Sequence, residues 1–329
     1  MYPSHLIFKG TGELFRRARE AHEHLTPCRV CPRGCAVDRI AGDLGVCGVG
    51  ARATVASALV HHGEEPGLSG ERGAGTIFFG GCNLRCIFCQ NYQISQTGRS
   101  PEYTAEEIAA MMLRLQGEGC HNIDLVSPSH VAPHVLEAIA HAVEQGLSIP
   151  ILYNSNGYDS MEMLRLFDGV VNIYLPDLKY GDDAPGTWAS GVSDYVEHAH
   201  IALREMYRQV GDCEFDDNGI VTRGLIVRIL VLPDDLARVY DSLYFIAEEL
   251  SPRVWLSIMS QFYPTHKAVG HPQLGRGITP LEYETVLQWV DRLGFENFYA
   301  QEMESVAVCR PDFERDGVFD FGNVEPPKT

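Results

Sequence analysis

From about residue 74 to residue 300, short apolar runs alternate with stretches of helical period, and this order restricts the possible architectures more than any other feature. Residues 76–79, 123–126, 149–153, 170–175, 225–231 and 254–258 read as strands, and 298–300 as a short last one. Helices are expected at 104–116, 135–145, 160–167, 194–210, 237–249 and 280–293, the first opened by Thr104 and Glu107 at capping-box spacing. Alternation of this kind implies parallel strands joined by right-handed crossovers, in an open doubly wound sheet or in a complete or partial barrel. In either, ligands collect at the carboxyl ends of the strands. Residues just after each strand are therefore the first candidates for function.

Upstream the character differs. Residues 5–25 read as a charged helix around a thin apolar stripe, and a Gly-rich segment with few apolar residues follows. Such a segment lacks the material for a core of its own, so a metal is expected to hold it. The cysteines point the same way. Of ten, four fall at Cys28, Cys31, Cys35 and Cys47 and three at Cys82, Cys86 and Cys89, while Cys120, Cys213 and Cys309 stand alone. The amino terminus has no charged stretch followed by an apolar one, so no secretory signal is read and a reducing cytoplasm is expected. In that compartment, clustered cysteines read as metal ligands rather than disulfides.

A net charge of −18 argues against nucleic acid and anionic membranes as main partners. No apolar run reaches the roughly 18 residues that a membrane span needs. Three units are expected: residues 1–73 as helix and cysteine-rich extension, 74–310 as the main domain, and 311–329 as a tail that wraps the surface or is loosely ordered.

The segment Gly80-Gly81-Cys82-Asn83-Leu84-Arg85-Cys86-Ile87-Phe88-Cys89 directly follows the first expected strand. Three thiolates in so short a loop can wrap one corner of a cubane, and the two glycines let backbone approach it closely. A [4Fe–4S] cluster has four irons, so one is left open to a ligand from outside the protein. A structural zinc site is the plain alternative. Spacing, glycines and the aromatic Phe88 together resemble the radical S-adenosylmethionine superfamily. The resemblance implies a partial (β/α)6 TIM-type barrel. It also implies reductive cleavage of S-adenosylmethionine to a 5′-deoxyadenosyl radical that abstracts hydrogen from a substrate.

Later segments resemble the glycyl-radical-enzyme activase branch, in particular proteins like pyruvate formate-lyase-activating enzyme, over roughly residues 74–265. They are Asn154-Ser155-Asn156-Gly157, Asp177-Leu178-Lys179 and Val227-Arg228-Ile229-Leu230-Val231-Leu232-Pro233, all at or beside expected strands. Asp177 and Lys179, two apart on extended chain, share a face and suit a zwitterionic methionine moiety, or pair with each other as structural glue. Arg228 in an apolar strand is costly unless it meets an anion. Asn154, Ser155 and Asn156 offer hydrogen bonds to carboxylate or ribose, and equally form a turn before Gly157.

The chain also departs from the branch. Ser127-Pro128-Ser129-His130 stands where the family has Gly-Gly-Glu, so Ser127 and Ser129 are the candidates to accept the cofactor's ammonium. Asn154 replaces an acid, which removes a reason to expect a monovalent cation there. After the sixth strand, Gln261, Tyr263 and His266 are candidates to line the adenine or substrate pocket, or simply to pack. His61, His62, His121, His134 and His271 show no partner in sequence and read as surface or core.

Cys28, Cys31, Cys35 and Cys47 supply a complete four-thiolate set, for zinc or for a fully ligated iron–sulfur cluster, with a structural or electron-relay role. The functional expectation is an oxygen-sensitive oxidoreductase using S-adenosylmethionine and a [4Fe–4S] cluster. It would draw electrons from a flavodoxin- or ferredoxin-type donor and act on a protein, peptide or small molecule. The alternative is an iron–sulfur electron-transfer or metal-sensing protein without S-adenosylmethionine chemistry.

Overall fold

A computed structural model describes residues 3–307, 310–315 and 317–319, so Cys309 and most of the expected tail lie outside the described residues. The first segment holds α1 (Glu13–His22), β1 (Ala53–His61) and the short α2 (Pro66–Ser69). The repeating part runs β2 (Ala74–Phe79), β3 (Glu102–Tyr103), α3 (Ala105–Gly117), β4 (Ile123–Val126), α4 (Ala132–Glu144), β5 (Ile151–Asn154), α5 (Met161–Leu166) and β6 (Ile173–Tyr174). It continues with α6 (Asp183–Pro185), α7 (Tyr195–Val210), β7 (Glu214–Phe215), β8 (Val221–Leu230), α8 (Val239–Phe245), β9 (Trp255–Met259), α9 (Pro280–Arg292) and β10 (Phe298–Ala300).

Strand order is β10-β9-β8-β6-β5-β4-β2-β1-β3, with β7 on β8. Every pairing from β2 through β10 along that path is parallel. The fold is α/β, a partial TIM-type barrel whose sheet does not close. Alternation along the strands gives the sheet two faces. Ile123, Leu125, Ile151, Tyr153, Val227 and Ile229 pack with the helices, whereas Leu152, Ile173, Leu175 and Ile226 form a separate apolar cluster on the other face, capped by Leu68. Charged side chains stand beyond that cluster, toward the strands' carboxyl ends.

The structure differs from the sequence reading in the first segment. The expected helix over residues 5–25 is confined to α1, with a 3-10 turn at Ser4–Phe8; Gly10 and Gly12, both at φ +73, separate the two. The span assigned to an extension, residues 1–73, also contains β1, which runs antiparallel to β2 and carries β3 on its other side. The barrel sheet therefore begins 21 residues earlier than the reading placed it, at Ala53 rather than residue 74. The alternation that marks a one-sided strand is blurred in β1, most of whose residues are half-buried. Elsewhere the expected elements are found, with β6 cut to two residues. The Thr104–Glu107 capping box forms in both directions.

Candidate active site

β2 ends at Phe79 and the chain turns at once into the cysteine loop. Gly81 has φ +76, and a Cβ there would lie 2.5 Å from the Cys47 carbonyl oxygen, so only glycine fits. Cys82 and Cys89 are half-buried and Cys86 is buried, all as free thiols. Burial pushes Cys82 up to about 12 and Cys89 up to about 11, and in both the neighbouring Cys86 thiol adds to the rise. Each sulfur has a polar neighbour: Leu84 N–H at 3.4 Å from Cys82 Sγ, Ser190 Oγ at 2.9 Å from Cys86 Sγ, and Ser95 Oγ at 3.4 Å from Cys89 Sγ. Phe88 is buried, edge-on to Phe262.

Beside the thiols lies a chain of charge. Lys179 Nζ donates to Asp177 Oδ2 at 2.6 Å, and Arg228 Nε donates to Asp177 Oδ1 at 3.2 Å. Arg228 goes on to Asn154 Oδ1 at 2.7 Å and Glu64 Oε2 at 3.2 Å. Burial alone would raise the Asp177 carboxyl, but Lys179 and Arg228 outweigh it and the group ends below the usual carboxylate range. Burial likewise works against the Lys179 ammonium, yet Asp177 and the Cys86 and Cys89 thiols leave it raised. Lys179 is thus acted on by both the thiols and the carboxylate, and Lys179, Asp177 and Arg228 keep 16–17% of their side-chain surface exposed.

Not all candidates meet. Asn156 Nδ2 reaches Cys82 Sγ at 3.4 Å and Asn83 Oδ1 at 2.7 Å, so it belongs to the loop. Gln261 exchanges hydrogen bonds with Gln90, just past Cys89, and accepts from Gln301. Ser127 follows β4 in a left-handed conformation, φ +58, its N–H on the Asn154 carbonyl. Ser155 and Ser129 turn away. Ser155 Oγ donates to Asp159 Oδ2 at 2.7 Å, and Ser129 is buried near Asp159 and Tyr153, on the helix-packed side. Tyr263 lies under the Arg310 guanidinium, and His266 stacks on Tyr92.

The sequence reading missed the acids behind Arg228. Glu64, Glu65 and Asp124 all act on its charge. Burial holds the Asp124 carboxyl well above the carboxylate range and also raises Glu65. Asp124 sits in the strand run Ile123-Asp124-Leu125-Val126 as Arg228 sits in its own, so the same signal was present. Glu64 and Glu65 lie in a loop with no such mark. His61, read as surface or core, is 3.9 Å from Glu64.

The second cysteine group is also gathered. Cys28, Cys31, Cys35 and Cys47 line one pocket with Arg39, Asn83 and His130. Among the described residues, no three His, Cys, Asp or Glu side chains converge closely enough to grip a single ion.

A family model described as the Radical SAM superfamily matches residues 76–213. An uncharacterized protein of Methanocaldococcus jannaschii, MJ0674, is 28% identical over 283 residues, covering 83% of this chain and 76% of that protein. Among solved structures, methylornithine synthase (PylB) aligns with a TM-score of 0.46 and 17% identity, over 89% of this chain and 71% of that one. SuiB of Streptococcus suis, bound to S-adenosylmethionine, aligns with a TM-score of 0.46 and 10% identity, over 69% of this chain and half of SuiB. No helix among the described residues is long and apolar enough to cross a membrane. The stretch that carries the three-cysteine loop and the strand-end residues through Lys179 is thus the part of the chain that is similar to the Radical SAM superfamily.

Proposed function

We propose that the protein is an enzyme that cleaves S-adenosylmethionine reductively and uses the resulting radical to take hydrogen from a protein, peptide or small molecule, in the manner of an activating enzyme. The observation that carries this reading is the three-thiol loop after β2 together with the Lys179–Asp177–Arg228 ion pairs at the ends of β6 and β8. The Cys86 and Cys89 thiols act on the Lys179 charge. The donor set fits a cubane: three free thiols in one loop, each with a polar neighbour, and a cation beside them. When bound, the cluster with its S-adenosylmethionine supplies one-electron cleavage of a C–S bond.

The chain's own residues do the rest. Cys82, Cys86 and Cys89 hold the cluster, and the Leu84 N–H and the Ser190 and Ser95 hydroxyls draw charge from the sulfurs. Lys179 and Arg228 present cationic donors to a carboxylate, and Asp177, ionised by both, is the acceptor for an ammonium. Phe88 and Phe262 keep water from the loop's flank. The proposal extends to a flavodoxin- or ferredoxin-type electron donor, a cytoplasmic setting, and a second metal centre, zinc or iron–sulfur, on Cys28, Cys31, Cys35 and Cys47.

The test is anaerobic incubation of the reconstituted protein with S-adenosylmethionine and dithionite. 5′-Deoxyadenosine should form and should vanish in Cys86→Ala. Intact clusters that yield none, even over long incubation, would overturn the reading.

A further inference from the structure

The four-cysteine pocket is built against the catalytic loop. Asn83 lines the pocket, yet its Oδ1 lies 3.8 Å from Cys82 Sγ. His130 lines it too, and its Nε2 donates to the Gly80 carbonyl at 2.8 Å. Gly81 abuts the Cys47 carbonyl, and the Arg85 guanidinium donates to the carbonyl of Val46. Arg33 donates to the Asn83 carbonyl at 2.7 Å. Residues 80–85 therefore form one wall shared by both sites.

The pocket also contains a buried cation. Arg39 is 1% exposed; its Nε donates to Gly50 O and its Nη1 to His130 O, while Nη2 has no partner. A buried donor left unpaired costs about 1–3 kcal/mol, so an acceptor belongs opposite it. The cysteine sulfurs are already partly supplied, Cys31 by the Arg33 N–H and Cys47 by the Val49 N–H. Metal-bound thiolates could accept from Nη2, and Arg39 already acts on Cys47; an iron–sulfur cluster adds inorganic sulfides to those acceptors. A fixed cation also favours a group that gains negative charge on reduction. The pocket has two edges: Cys31 and Cys35 are half-exposed, and Cys47 is buried against the loop.

We infer that Cys28, Cys31, Cys35 and Cys47 hold a redox-active iron–sulfur cluster that relays single electrons across the Gly81–Cys47 contact to the cluster on Cys82, Cys86 and Cys89. The inference rests on the reading of that loop given above. One electron enters from a ferredoxin- or flavodoxin-class donor at the exposed edge and one leaves toward the loop. No bond is made or broken at the relay, and Arg39 offsets the charge while the electron resides there.

The test uses the full chain, reconstituted anaerobically. Metal and sulfide analysis should give about eight irons per chain, as two cubanes require. The reduced protein should show two EPR signals split by magnetic interaction, and Cys28→Ala should remove one and sharpen the other. Arg39→Gln should lower the midpoint potential of the four-cysteine centre and leave that of the loop centre in place. One zinc with one cluster, or two clusters without interaction, would overturn the relay. The wild-type splitting decides even if a variant fails to fold. A loop signal that S-adenosylmethionine does not perturb would sink the radical reading instead, with the relay result standing apart.

Discussion

The two cysteine groups share a wall but differ in company. The loop of Cys82, Cys86 and Cys89 has three thiols, and its neighbours include Lys179, Asp177 and Arg228, charges that are part-exposed. The pocket of Cys28, Cys31, Cys35 and Cys47 has four thiols, and its charged neighbour Arg39 is sealed among backbone carbonyls. Three sulfurs beside part-exposed ion pairs that a ligand could enter suit the binding and chemistry proposed above. Four sulfurs with a buried cation that keeps one donor unpaired suit the closed metal centre proposed above. The difference lies in what the surroundings have left to offer.

Exchanging the lesions between the groups is the severest way to break this comparison. Cys89→Ala should reduce 5′-deoxyadenosine formation to background, whereas Cys35→Ala should leave the S-adenosylmethionine-dependent change in the loop's EPR signal intact. Equal loss of that spectral change in both would mean that the two groups are one site. Asp177→Asn comes next. It strands Lys179 and Arg228, both 17% exposed, without their shared carboxylate. Breaking such a pair costs on the order of 3 kcal/mol, and thermal unfolding of the reconstituted protein should show it together with weakened S-adenosylmethionine binding. An unchanged binding constant would assign the triad to structure alone.

Much of this contrast was legible beforehand. Cysteine spacing separated the groups, the position of Asp177 and Lys179 after an apolar run placed them at a strand end, and Arg228 stood out as a charge within an apolar strand. That Ser155 would bond Asp159, and Ser129 lie near it, could not be read in advance, because a strand's alternation does not fix which way the residues of the turn after it point. Asp159, the partner of Ser155 and Tyr153, lies past the turn, where no periodicity links it to either. β1 escaped because its partner β2 lies across a hairpin-like excursion containing α2, and its half-buried residues give no clean two-residue period. Contacts set by the tertiary fold, such as Glu64 on Arg228, leave no local trace.

Acid titration sharpens the comparison in the scaffold beneath both sites. His134, on α4 beside His22 of α1, is 5% exposed, and its Nε2 donates to the Ala51 carbonyl. Burial lowers its pKa to about 4 from 6.5. A histidine depressed in the folded state favours unfolding as soon as the unfolded chain binds its proton. Stability should therefore fall as pH drops from 6.5 toward 4, by about 3 kcal/mol in full for a shift of this size. His134→Gln should make that part of the profile shallower in chemical denaturation, with His61, His130 and His200, also lowered by burial, retaining the rest. A variant as acid-sensitive as the wild type would move the effect to other groups.

The smallest effect belongs to the region most legible in sequence. Thr104 Oγ1 accepts the Glu107 N–H and the Glu107 carboxylate accepts the Thr104 N–H, starting α3 just past β3. Thr104→Ala removes the first bond and should cost about 1 kcal/mol, read as a modest drop in unfolding temperature. The cap lies on an exposed helix start and touches neither cysteine group, so both EPR signals should be unaltered. A change in either would mean that α3 transmits strain to β2 and the loop beyond it. The boundary between scaffold and site would then have to be redrawn from the loop outward to the helix layer.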